Sequence, residues 1–350
     1  MKTLSSTSSV ISSTYSSLPL SSPSYPPSQC CRRRRASSSI HSLPFTGRTV
    51  QLFHSRRRSS TAKNEVQHQS AEDGHGQNTD EPLPEDIKLL TAVRSIYNDI
   101  MILETAESRL LLLDSSHKIH SIFGKGGSKW TGSYWDEFAS LPPIIPAGPI
   151  AIFGLGGGTA ADLMLHLWPS LQIEGWEIDE ILVHKSREYL GLSELENRAE
   201  AGGGGLRVRI GDALSANASV AGGYAGIIVD LFADGKVLRG LEEVKTWAEI
   251  GEKLMPKGRI MVNCGGVSSD AREELLEGNL ELGWEQNNAI RAMRKAFPGA
   301  GELNWKLMPK EKGANFLALT RALPDLAAWS SALPDELSSS VYQWRICSGS

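Results

Sequence analysis

Acidic residues are missing from the first 63 positions, and the first to occur is Glu65. The same stretch holds 10 of the 36 lysines and arginines, including Arg32 to Arg35 and Arg56 to Arg58, and is crowded with serine (SSTSSVISSTYSSLPLSSPS). A Ser-rich, Arg-rich, acid-free composition is that of an organelle transit peptide. Serine and proline dominate and no long Arg-bearing amphipathic helix is visible, so the sequence predicts a chloroplast transit peptide over 1–63. A disordered basic tail is the bland alternative. Cysteine is scarce: Cys30 and Cys31 fall in that segment, and Cys264 and Cys347 are too few for a disulfide framework or a metal site. The histidines are scattered, and His117, His120, His166 and His184 lack metal-ligand spacing, so no metal is expected. No apolar run approaches the roughly 20 residues of a membrane span. Beyond residue 63 there are 26 basic and 40 acidic residues. An acidic body has no net field to attract nucleic-acid phosphates and suits a cationic small substrate. Neither a membrane nor a nucleic acid is therefore expected as a partner.

Residues 64–86 are polar, with Gly, Pro and acids and no periodicity, and read as a disordered linker. Over 87–145, IYNDIMILET and AESRLLLLDSSHKIHSIF read as strands broken by polar turns, which predicts a small antiparallel subdomain. From 146 to 323 strand and helix patterns alternate. PIAIFGLG is an apolar run suited to a strand buried on both faces; TAADLMLHLW is helical, with Thr159 placed to cap it and Asp162 three residues on. LQIEGWEID, LRVRIGDA, YAGIIVDLF and GRIMVNCGG supply further strands, with Asp179 capping EILVHKSREYL and Gly191 ending it. Val244, Trp247, Gly251 and Leu254 share one helical face. LNWKLMPK and NFLALTRA have no helix between them and should pair antiparallel. The expectation is an α/β fold: a Rossmann-like methyltransferase sheet, mostly parallel with an antiparallel last strand, beside the small N-terminal β subdomain. Residues 324–350 form a tail expected to lay a short helix across the domain or against a partner. Trp247, Trp284 and Trp305 read as core.

The chemistry-bearing signal is GLGGGT, where Gly154, Gly156 and Gly158 lie between a strand and a helix. Glycine lets the backbone turn tightly and approach a ligand. Glu177 ends the next strand about 20 residues later, where a carboxylate can accept both ribose hydroxyls. Asp212, in GDA after the third strand, stands where an acid can receive an adenine amino group. Asp230 ends the fourth strand in VDLFADG and faces the centre of the crevice, where it can orient or deprotonate an amine nucleophile; Asp234 follows on the loop. A dinucleotide site would want Gly or Ala where Thr159 stands, and a phosphate loop would need a Gly-Lys-Ser/Thr end that Gly202 to Gly205 lack.

At these residues, from about Ser108 to Gly266, the sequence resembles the spermidine synthase family, the aminopropyltransferase branch of the S-adenosylmethionine-dependent methyltransferase superfamily. RLLLLDSSHKIHS resembles its amino-terminal hairpin, SYWDEF its Tyr-His-Glu-Met segment with Trp135 in the His position, and GLGGGT, WEID and GDA its nucleoside-binding motifs. The resemblance implies that Gly154, Gly156, Gly158, Thr159, Glu177, Asp212 and Ala213 hold S-adenosylmethionine or its decarboxylated form. It further implies that Tyr134 contacts substrate, that Asp230 is the catalytic base with Asp234 assisting, and that the chain forms a homodimer. Two positions depart from the pattern. Thr159 replaces an Asp of the glycine loop, and DLFADG replaces Asp-Ser-Ser/Thr-Asp-Pro, displacing the second acid that grips a polyamine. These departures tilt the reading slightly toward methyl transfer, with aminopropyl transfer to a polyamine and non-catalytic nucleoside binding as alternatives.

Overall fold

The computed structural model describes residues 87–115, 118–200, 203–266, 284–299, 301–309 and 312–348. The predicted transit segment and linker, Cys30, Cys31, His117 and Gly202 lie outside the described residues.

Short strands with alternating burial open the described chain: β1 (Lys88–Arg94), β2 (Asp99–Glu104), β3 (Ser108–Leu112) and β4 (Ser121–Gly124). They pair in that order as an antiparallel meander. β1 was not legible as a strand, because KLLTAVR mixes exposed and half-buried positions at a sheet edge. Ile100, Ile102 and Leu111 pack one face of the meander against Leu182 and Leu190, while Leu103, Leu110 and Leu112 build a second cluster.

A five-residue helix, α1 (Tyr134–Phe138), leads into the larger sheet. There β5 (Ile150–Phe153), α2 (Thr159–Leu167), β6 (Gln172–Glu177), α3 (Glu180–Tyr189), α4 (Leu192–Glu200), β7 (Gly205–Ile210) and β8 (Tyr224–Val229) alternate as expected. A hairpin of β9 (Phe232–Ala233) and β10 (Lys236–Val237) precedes α5 (Val244–Glu252), β11 (Leu254–Gly266), α6 (Asn288–Ala296), β12 (Leu303–Leu307) and β13 (Asn315–Thr320). The tail adds α7 (Leu326–Ser331), α8 (Asp335–Ser338) and β14 (Arg345–Ile346). The eight strands run in the order β14-β12-β13-β11-β8-β5-β6-β7. β11, β8, β5, β6 and β7 are parallel, and β13 is antiparallel to both β11 and β12. The expected fold class is therefore the observed one. The reversed strand β13 lies inside the sheet rather than at its edge, because β12 and the tail strand β14 extend it further.

β5 and β8 are buried at every position, as strands covered on both faces must be. One core cluster joins Phe138 of α1 and Met164 of α2 to Trp329, Leu337 and Trp344 of the tail; the other holds Trp247, Trp284 and Trp305. Two local expectations fail. Thr159 is not the cap of α2: Gly158 is, at φ 87°, a left-handed position that favours glycine. The Thr159 hydroxyl instead receives the Ile122 N–H at 2.9 Å and donates to the Ile122 carbonyl at 3.1 Å, fastening β4 to α2. The face assigned to α5 is also shifted: Val244 is exposed, Leu254 already belongs to β11, and the helix buries Trp247 with Ile250. Asp179 caps α3 through the N–H groups of Ile181 and Leu182, as read.

Candidate functional site

The chain passes from β5 outward to β6 and β7, then returns to β8 on the other side of β5. At such a reversal the loops at the carboxyl ends of the strands separate and leave a crevice. A cavity of about 990 Å³ opens there, and every candidate cofactor, substrate and catalytic residue read from the sequence lines it except Gly158.

Backbone geometry builds the first wall. Gly154 follows β5 at φ 88°, and a Cβ there would stand 2.3 Å from the Asp230 carbonyl oxygen, so this crossing of β5 and β8 requires glycine. The Gly156 N–H donates to Glu177 Oε2 at 3.0 Å and the Gly157 N–H to Ser121 Oγ at 2.8 Å. Glu177 Oε1 receives the Asp179 N–H at 3.1 Å. Burial raises the Glu177 pKa, and the N–H groups of Asp179 and Gly156 partly offset it. A carboxylate offers about four acceptor sites. Glu177 uses one on each oxygen for the backbone and keeps capacity for a ligand's hydroxyls. Asp179 ties this wall to the small sheet: its Oδ2 accepts from Ser95 Oγ at 2.5 Å and Asn98 Nδ2 at 2.7 Å, in the turn between β1 and β2. Asp212 is exposed at the rim, accepting the Leu214 N–H at 2.8 Å, and Ala213 beside it is buried.

Side chains build the opposite wall, around Asp230. Its Oδ2 accepts from Tyr134 Oη at 3.1 Å and Trp135 Nε1 at 3.2 Å, and its Oδ1 from Asn263 Nδ2 at 2.9 Å. Asn315 Nδ2 in turn donates to Asn263 Oδ1 at 2.9 Å, fixing which way that amide faces. Burial pushes Asp230 up to about 6, with the hydrogen bonds from Asn263, Tyr134 and Trp135 opposing the shift. Burial and the neighbouring Asp230 carboxylate raise Tyr134 well above the ordinary phenol range, so it remains a donor. A half-buried carboxylate with its pKa pushed toward neutrality has the property a general base needs.

Asp234 is placed differently from expectation. It sits at the tip of the β9–β10 hairpin at φ 50°, with Gly235 at 68°, a pair of left-handed residues typical of a tight two-residue turn. Asp234 is exposed and lines the cavity rim. Sequence reading missed Asn263 and Asn315. The available signal for Asn263 was a polar side chain in the otherwise apolar run IMVNC, since buried polar groups require partners. Five carboxylates line the cavity (Asp114, Glu177, Asp212, Asp230 and Asp234), against Lys118 and His120. Burial lowers the His120 pKa, which keeps its ring neutral near neutral pH. Among the described residues no cluster of three His, Cys, Asp or Glu could hold a metal ion, and no helix is long and apolar enough to cross a membrane.

No known protein-family profile matches the chain. It is 25% identical over 238 residues to a probable polyamine aminopropyl transferase of Bifidobacterium longum (strain NCC 2705), covering 65% of this chain and 51% of that protein. The chain thus spans about half the length of this curated relative. Among solved structures, a probable spermidine synthase from Corynebacterium glutamicum is similar with a TM-score of 0.50 and 17% identity, over 69% of this chain and 86% of that one. Spermidine synthase from Thermotoga maritima gives a TM-score of 0.49 and 15% identity, over 71% and 77%. The resemblance carried by the motifs therefore has a counterpart in each comparison: the chain is similar in sequence to a probable polyamine aminopropyl transferase and in fold to a probable spermidine synthase.

Proposed function

We propose that this protein is a transferase that moves an aminopropyl group from the sulfonium of decarboxylated S-adenosylmethionine to a polyamine. The carrying observation is Asp230: a half-buried carboxylate, pushed up to about 6, facing a cavity walled by five acids. Both the sulfonium donor and the amine acceptor are cations, which such a wall attracts. The cavity lies at the upper end of the roughly 300–1,000 Å³ range of ligand pockets, enough for donor and acceptor together. In the reaction the acceptor nitrogen attacks the donor's methylene carbon, the carbon–sulfur bond breaks, and its electron pair stays on sulfur as a neutral thioether nucleoside. The new ammonium loses a proton, and Asp230 is placed to take it or to orient the attacking amine. Glu177 holds the ribose, Asp212 and Ala213 the base, and Gly154, Gly156 and Thr159 border the donor, with Gly158 behind them as the cap of α2.

Similarity to a polyamine aminopropyl transferase supports this reading over methyl transfer, the reverse of the order suggested by the loop motifs. Targeting to the chloroplast through residues 1–63 and assembly as a homodimer belong to the same proposal. The decisive experiment incubates the purified protein with a diamine and either donor, and identifies products by mass spectrometry. An amine lengthened by one aminopropyl unit from the decarboxylated donor is expected. A methylated product from the intact donor would replace this reading. Binding of either donor without product would make the protein a nucleoside sensor.

A further inference from the structure

Lys306, in β12, is only 1% exposed, and its ammonium makes an ion pair with the buried carboxylate of Glu137. Ser340 Oγ donates to the same Glu137 Oε2 at 2.9 Å, and Lys306 Nζ lies 5.0 Å from the centre of the Trp344 ring. Burial lowers the Lys306 pKa, while Glu137 opposes the shift. A buried ion pair is rarely a gain in stability, and apolar side chains of similar volume usually serve as well or better. What the pair supplies is direction.

Glu137 is the fourth residue of α1, the helix whose first two residues, Tyr134 and Trp135, both donate to Asp230. Five residues are too few to hold a helix by its own hydrogen bonds, so the setting of α1 comes from its surroundings. Trp168 Nε1 and Trp329 Nε1 donate to the carbonyls of Ala139 and Ser140 just past its end. Those bonds anchor one end of α1 and leave its rotation to the side chains. Glu137 is the charged anchor on the side facing β12 and the tail.

We propose that Lys306 and Ser340 are positioning residues of the site, which fix the rotation of α1 through Glu137 and so keep the Tyr134 hydroxyl and the Trp135 indole on Asp230. The inference rests on the proposed role of Asp230, yet it can be tested without turnover. Tyr134 and Trp135 from α1 and Asn263 from β11 are the side chains bonded to Asp230; of these only Tyr134 titrates, and Asp234 on the following hairpin is exposed. The Trp135 indole N–H resonance therefore reports the ionisation of Asp230, and Trp135→Phe identifies the signal. In the wild type it should titrate with a midpoint near the value of about 6. The double variant Glu137→Met/Lys306→Met replaces the ion pair by an apolar one. Its midpoint should rise by about one pH unit, because weaker donation to the carboxylate favours the protonated form. Ser340→Ala leaves the ion pair in place and should give a smaller rise.

An unchanged midpoint in a double variant that melts at or above the wild-type temperature overturns the proposal. If the double variant does not fold, an unchanged midpoint in Ser340→Ala overturns it, and so does a wild-type signal that is independent of pH. Alongside, kcat for transfer should fall about tenfold with KM nearly constant. Absence of transfer in the wild type would reject the proposed reaction, while the titration would still decide the positioning role.

Discussion

Glu177 and Asp230 are carboxylates on one cavity, the first buried and the second half-buried, yet the first is held by backbone N–H groups and the second by side chains. The donors to Glu177 are the N–H groups of Gly156 and Asp179, which belong to the glycine loop and to its own turn. The donors to Asp230 are Tyr134, Trp135 and Asn263, brought from α1 and β11. A backbone-held group is placed by the strands and moves only if the sheet does. A side-chain-held group depends on packing some distance away, and its proton affinity can be set by substitutions that never touch a ligand. The wall proposed for the nucleoside is thus fixed by the fold, and the wall proposed for the reaction is the tunable one.

The largest test of that contrast is Asp230→Asn. Turnover should fall by about 10²–10⁴, the usual contribution of a positioned base, while nucleoside affinity measured by calorimetry stays within a few-fold. In the folded protein the Asp230 pKa is raised from 3.8 to about 6. The native state therefore binds the proton more tightly than the unfolded chain, and wild-type stability declines as pH rises through this window and levels off above it. The variant lacks this titration. Its stability relative to wild type should improve by roughly 2 kcal/mol between about pH 4 and pH 7, read from urea midpoints. A constant difference would mean that the Asp230 carboxylate is not perturbed. Glu177→Gln should act in the complementary way: donor affinity drops about ten- to a hundredfold from loss of charged hydrogen bonds, and the acid limb of the pH–rate profile stays in place.

The convergence of the wall proposed for the nucleoside was legible in the sequence because it is local. Gly154 and Asp212 follow strands and Glu177 ends one, and the strand pattern alone brings their loops together at the crevice. Asp230 was legible for the same reason. Its surroundings were not: Trp135 precedes it by 95 residues and Asn263 follows it by 33, and no periodicity links either to Asp230. Thr159 shows the reverse error. Its position just ahead of an apolar helix suggested a cap, but a left-handed Gly158 took that role and released the hydroxyl to bind Ile122. β1 escaped notice because an edge strand need not alternate cleanly. The tail was expected to lay a short helix across the domain and does so through α7, but its Trp329 bond to the Ser140 carbonyl beyond α1 leaves no mark in its own pattern.

Two smaller substitutions sharpen the contrast. Asn263→Ser removes the donor to Asp230 Oδ1 and touches nothing on the nucleoside wall. The acid limb of kcat/KM should move upward by about one pH unit, with donor affinity unchanged. If donor affinity fell as well, the two walls would not be independent. Thr159→Val keeps the shape and loses both hydrogen bonds to Ile122. It should cost about 1–3 kcal/mol in chemical denaturation, because the Ile122 backbone loses a partner, and leave the pH profile alone. A loss of donor binding with normal stability would instead make the Thr159 hydroxyl a ligand contact.

The smallest effect is expected at Asp234, and the choice of variant matters. The residue holds φ 50° at the hairpin tip, a conformation that Asn tolerates and Ala does not, so Asp234→Asn changes the charge without straining the turn. Exposure to solvent screens the carboxylate, and an exposed charge contributes at most about 1 kcal/mol to holding a cation. KM for the amine should therefore rise no more than about fivefold, with kcat and donor affinity unchanged. An increase well beyond tenfold, confined to the amine, would mean that the hairpin closes onto bound substrate and buries Asp234 as it does so. The reacting wall would then hold two carboxylates, with the second fixed by substrate rather than by α1 and β11.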